Sequence, residues 1–188
     1  METKASSKEG RFSPEVERAL RQAGWYEGRI VPESQLEQWY AFKYECVPGY
    51  HRITPAALTV LREFGGLFIE QDAPGVTCYR ESFRIDPLAT LGLKESVWGA
   101  FEWLIEDSLF PLGVTGGSQD DIIAISGCGK VFLISNLGTL HLAGLTFTHA
   151  LNSQIVGYMS LPMYFEHYDR KWSEAAQVQA AVNQLYSD

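Results

Sequence analysis

The sequence predicts an α+β domain, and three observations carry that prediction. Segments with helical spacing stand at both ends of the chain. Between them runs a meander of short apolar segments separated by glycine turns. The two patterns meet in residues 57–70. There Ala57, Leu58, Leu61 and Phe64 fall at helical spacing, Gly65-Gly66 interrupts, and Leu67-Phe68-Ile69 continues as a strand-like block. A helix thus joins a strand without a loop, and Gly65 or Gly66 takes the left-handed position that closes the helix.

Each element has its own warrant. Residues 1–11 are polar and read as a disordered leader, and residues 12–188 read as one domain. Ser13-Pro14-Glu15 supplies an N-cap, a proline at the first helical position and an acid in the first turn. Val16, Ala19, Leu20 and Ala23 form the apolar face, and Gly24 ends that helix. A second helix is expected over 35–46, closed by Val47-Pro48-Gly49. Thr54-Pro55 opens the helix that ends at the double glycine. Strands follow at 67–71 and about 77–85, then a long helix over 94–109 and a loop over 111–118. Ile122–Ile125 and Lys130–Ile134 pair across Ser126-Gly127-Cys128-Gly129 as a hairpin. A strand over 139–143 and helices over 146–156 and 173–186 complete the chain, with a helical extension beginning near 158.

Composition limits the function. The 188 residues carry a formal net charge of -8, from 15 basic and 23 acidic side chains. That balance argues against nucleic-acid backbones and anionic membranes, which need clustered Lys and Arg, and it permits a basic protein partner. Cys46, Cys78 and Cys128 are widely spaced and lack a Cys-x-x-Cys pair, which argues against a disulfide framework or a zinc site. No apolar signal core opens the sequence and no run of about 18 apolar residues crosses it, so a cytoplasmic, reduced protein is expected.

Four landmarks stand in order: Ala23-Gly24-Trp25 with Gly28-Arg29, then Glu63-Phe64-Gly65-Gly66-Leu67, then Phe83-Arg84-Ile85-Asp86-Pro87, then Phe110-Pro111-Leu112-Gly113. From about residue 12 to 156 this series resembles the SUKH superfamily of immunity proteins, in its third subgroup. The resemblance implies an antiparallel-rich mixed sheet of about five to six strands covered by helices. It also implies an antidote that binds and neutralises a cognate toxin, often a nuclease or deaminase deployed against neighbouring bacteria, with no catalysis of its own. The chain departs from the pattern at Ser126–Lys130, where the family usually carries an acid before Gly-Arg. The tail after Gly157 has no counterpart.

The residues themselves offer little chemistry. His51, His141, His149 and His167 belong to no His-x-x-x-His, His-Glu-x-x-His or nucleophile-elbow pattern. His149 is expected on a solvated helix face. His141 faces solvent or a polar cleft, and a small hydrolase built on His141 with an acid or thiol is the enzymatic alternative. Gly116-Gly117-Ser118 lacks the lysine of a phosphate loop and precedes Asp120-Asp121, whose charges repel phosphate. These two carboxylates point to opposite strand faces and cannot share one metal or acid geometry without help, so they either protect a strand start or count as acidic contact surface. No cofactor, metal or catalytic residue is expected.

The candidate binding surface lies on the helix over 94–109. At about 100° per residue, Val97, Phe101, Leu104 and Ile105 share a core arc. Glu95, Glu102 and Glu106 fall on a flanking stripe, and Trp103 points away from the core. Either Trp103 and these carboxylates meet a basic toxin, or residues 158–186, with Tyr164, Phe165 and Trp172, cover the indole. Glu70, Asp72 and Asp86 form either a second acidic contact or charges that block strand-edge pairing. The alternative to immunity within the same fold is a regulatory interaction domain without a toxin.

Overall fold

The architecture is taken from a computed structural model that describes residues 11–41, 53–90, 98–116, 121–135 and 138–165. Expectations at 1–10, 42–52, 91–97, 117–120 and 166–188 lie outside the described residues; they include Glu95, Asp120, His51, His167, the leader and the final helix. Among the described residues five α-helices, one short 3-10 turn and seven strands form in chain order. They are α1 (Pro14–Gln22), α2 (Glu33–Tyr40), α3 (Pro55–Phe64), β1 (Phe68–Pro74) and β2 (Tyr79–Arg84), then the 3-10 turn Pro87–Thr90 and α4 (Trp98–Ile105). After these come β3 (Leu109–Thr115), β4 (Asp121–Ser126), β5 (Val131–Ile134), β6 (Thr139–Gly144), α5 (Phe147–Val156) and β7 (Leu161–Phe165).

The helix starts are those the capping residues specify. Ser13 Oγ accepts the Val16 N–H at 3.4 Å and Thr54 Oγ1 accepts the Ala57 N–H at 3.2 Å. Proline follows each cap, where its missing N–H costs no bond. α2 begins at Glu33, two residues earlier than its spacing suggests.

The seven strands pair in sequence order, β1 to β7, and every pairing is antiparallel. The α+β class and the antiparallel sheet are as expected, with one or two strands more than expected and no parallel pair among the described residues. Two corrections account for the difference. Residues 111–115, read as loop because Pro111 and Gly113 interrupt the run, belong to β3, and a register shift between these two residues absorbs both. Leu161–Phe165 adds to β6 as β7, where the sequence suggested only a helical extension.

Both faces of the central strands are buried, whereas β1 and β2 keep one face exposed. In β4, Ile123 and Ile125 join a core with α1, α2, α3 and α5, whereas Ile122 and Ala124 join a second core with Trp98 and Phe101 of α4. That is why Ile122–Ile125 reads as an unbroken apolar run instead of an alternating one. α4 ends at Ile105, four residues before the predicted end of the helix. Glu106 takes φ 55 and the Asp107 N–H bonds back to the Glu102 carbonyl at 3.2 Å, which closes the helix in a Schellman-type turn.

Candidate partner-binding surface

The four sequence landmarks come together in space. The guanidinium of Arg29 donates to the backbone carbonyls of Glu63 and, at 2.8 Å, of Gly65. Trp25 Nε1 donates to Glu63 Oε1 at 3.1 Å, and the Trp25 ring stacks on Phe64 at 6.3 Å. Across the double glycine, the Gly66 N–H donates to the Ile85 carbonyl at 2.6 Å, and the Ile85 N–H donates to the Leu67 carbonyl at 3.0 Å. Gly66 takes the left-handed conformation, φ 79, while Gly65 lies under the ring of Trp39. Gly113 packs against the Arg84 carbonyl, where no β-carbon fits. The landmarks build the scaffold.

That scaffold consumes two of the sequence-predicted contact residues. Asp86 Oδ1 accepts Trp39 Nε1–H at 3.1 Å and the Leu88 N–H at 3.0 Å, so this half-buried carboxylate organises the turn after β2. Glu70 and Asp72, by contrast, stand exposed on β1. Glu102 folds back over the end of α4, and its Oε1 accepts the Leu109 N–H at 2.8 Å. The proposed stripe is thus reduced to Glu106, which is exposed beyond the last turn, and Glu95 lies outside the described residues.

Trp103 is 71 % exposed on the outer side of α4, as the helical wheel predicts. Its neighbours on that side, Gly99 and Ala100, are also exposed. Leu104 and Ile105 are half-buried against the second core, and Trp98, absent from the predicted face, is its main anchor. Asp121 opens β4 opposite Thr115.

Next to α4, Asp107 ties two corners of the fold. Its Oδ1 accepts the Ser108 N–H at 2.8 Å and its Oδ2 accepts the Cys128 N–H at 2.9 Å, which fixes the β4–β5 turn. Burial pushes this carboxyl up, but the hydrogen bonds from Cys128, Ser108 and Ser126 outweigh it and hold the group below its ordinary range. The turn Ser126–Lys130 is thereby tied to the end of α4.

Two histidines, His141 and His149, lie among the described residues. His141 is half-buried on β6, with Nδ1 3.2 Å from Ser160 Oγ, and burial holds its pKa below the usual value. Cys128 stands in the β4–β5 turn and Cys78 between β1 and β2. His149, expected on a solvated face, is half-buried instead, because α5 packs closely on the sheet. An open cleft of about 740 Å³ lies between α1, α3 and the 25–30 turn. Of the acids that line it, Glu63 pairs with Arg11 and Glu17 with Arg21.

Sequence reasoning missed the apolar side chains of the β1–β2 connection. The available signal was Val76, an aliphatic residue placed in a turn and exposed there.

A family model described as SUKH-3 immunity protein matches residues 12–157. The chain belongs to the SUKH-3 family of immunity proteins. The match takes in all four landmarks and stops at Gly157, so the SUKH-3 region covers α1 through α5, and β7 lies beyond it. No curated protein and no solved structure matches the chain. No helix among the described residues is long and apolar enough to cross a membrane.

Proposed function

We propose that this SUKH-3 protein neutralises a cognate toxin by stoichiometric binding, not by catalysis, and that it does so in the cytoplasm. The observation that carries this reading is Trp103, a large aromatic side chain held outward on α4 of an immunity-family fold. Interfaces concentrate their energy in such aromatic anchors. The toxin is a basic nucleic-acid-processing domain, a nuclease or a deaminase, since a chain of net charge -8 complements a cationic surface and speeds its capture. Trp103 with Glu106, and Glu70 with Asp72, are the contacts that stay on the surface; Glu95, Asp120 and Asp121 add to the acidic field. Asp86 and Glu102 support the fold.

Co-expression with the product of the neighbouring reading frame tests the proposal. The expected result is a one-to-one complex and rescue of growth from the toxin. Absence of both overturns the reading. A folded Trp103→Ala protein that binds as well as wild type removes α4 from the interface.

A further inference from the structure

The connection between β1 and β2 is fixed to the end of α5 with unusual completeness. The Val76 N–H donates to the Val156 carbonyl at 3.2 Å, and the Thr77 and Cys78 N–H groups donate to the Gly157 carbonyl at 2.8 and 3.1 Å. In return, the Met159 N–H donates to Thr77 Oγ1 at 2.8 Å. Gly75 and Gly157 touch so closely that a β-carbon on Gly75 would lie 2.5 Å from the Gly157 Cα. A turn bonded this way has little left to order when it meets a partner.

On this rigid frame three large apolar side chains face solvent: Val76 at 59 %, Tyr79 at 56 % and Met159 at 58 % exposed. Scattered exposed apolar residues need no explanation, but here Val76 and Met159 stand on segments bonded to each other and Tyr79 opens β2 three residues after Val76. Beside them stand three carboxylates. The Tyr79 hydroxyl donates to Asp72 Oδ1 at 2.9 Å, and Asp72 stands directly opposite Glu81 in the β1–β2 register. Like charges in that position disfavour the pairing. Glu70 is exposed on the same strand. The nearby cations are turned elsewhere: Arg80 pairs with Glu15, and Arg84 lies over the Phe68 ring at 5.4 Å. An apolar cap flanked by carboxylates suits a cationic surface with an apolar protrusion. It does not suit a second copy of this chain, which would bring acid against acid.

We propose that the β1–β2 turn, through Val76, Tyr79 and Met159 with Asp72, Glu81 and Glu70, docks a basic segment of the toxin as a contact separate from Trp103. This rests on the toxin-binding reading above. The test uses the full chain and an inactivated form of the neighbouring frame's product as the probe, with thermal unfolding as the folding control. Val76→Lys, solvent-facing and bonded only through its backbone, should weaken binding at least about tenfold. The double substitution Asp72→Asn with Glu81→Gln should slow association and flatten its salt dependence while changing dissociation little. If wild type binds and both folded variants bind equally well, the turn is not a contact and the toxin reading stands. If wild type does not bind, both fall. A concentration-dependent dimer broken by Val76→Lys would make the turn a self-contact and overturn the proposal.

Discussion

Trp39 occupies the space that a side chain at Gly65 would need. A β-carbon at Gly65 would lie 2.7 Å from Cζ3 of Trp39 and nearer still to Cη2, with the Leu61 carbonyl 2.5 Å away. The same indole donates to Asp86, so it is held from both ends and has no room to retreat. Gly65→Ala should therefore cost about 1–3 kcal/mol, as overpacking at fixed neighbours does. Urea unfolding measures it. Toxin affinity of the folded variant should equal wild type, because the residue is buried away from every proposed contact.

Glu106 is the residue that α4 places in the left-handed region, φ 55, where glycine is the usual choice. Its negative charge also sits at the helix end that favours cations. Glu106→Gly should raise stability by about 1 kcal/mol. If Glu106 contacts the toxin, the same variant binds more weakly. A more stable variant with unchanged affinity would place Glu106 outside the interface.

His141 makes stability depend on pH. Burial lowers its folded pKa below the ordinary 6.5, so below 6.5 the unfolded chain binds the proton more readily. Stability should then decline as pH falls through 6.5 toward the lower folded value. Midpoints of urea unfolding between pH 7.5 and 5 measure the slope, and His141→Gln should flatten it. An identical slope in the variant would refute burial of the imidazole as its cause.

Asp107 acts in a more acidic window. Its folded pKa lies below the ordinary 3.8, so its contribution is complete above 3.8 and is lost as pH falls through the lower folded value. Asp107→Asn keeps an acceptor for the Cys128 N–H but cannot titrate. It should be less stable than wild type at neutral pH, and the gap should narrow as acid protonates the native carboxyl. A gap that stays constant down to the acid transition would exclude the carboxylate's charge as the cause.

Sequence alone determined the elements whose information is local. Ser13-Pro14 and Thr54-Pro55 start helices because a cap hydroxyl and a proline act within one turn. The double glycine marks the end of α3 in the sequence, although its conformation is fixed by Trp39, Arg29 and Ile85, and the four landmarks carried the family because their order lies in the chain itself. Which surface is available was a tertiary decision. A helical wheel sees Glu102 as one of three solvent-facing carboxylates, yet its oxygen is taken by the Leu109 N–H after the chain turns back. Asp86 looks like a strand-end charge until Trp39, 47 residues earlier, brings it an indole N–H. Pro111 and Gly113 look like a loop until β4 pairs with them across a shifted register. Val76 and Met159, 83 residues apart in the chain, stand on neighbouring segments only because α5 ends against the β1–β2 turn. Hydrogen bonds between distant segments cost the sequence pattern nothing and leave no periodic trace in it. They decided which acids build the scaffold and which stay on the surface.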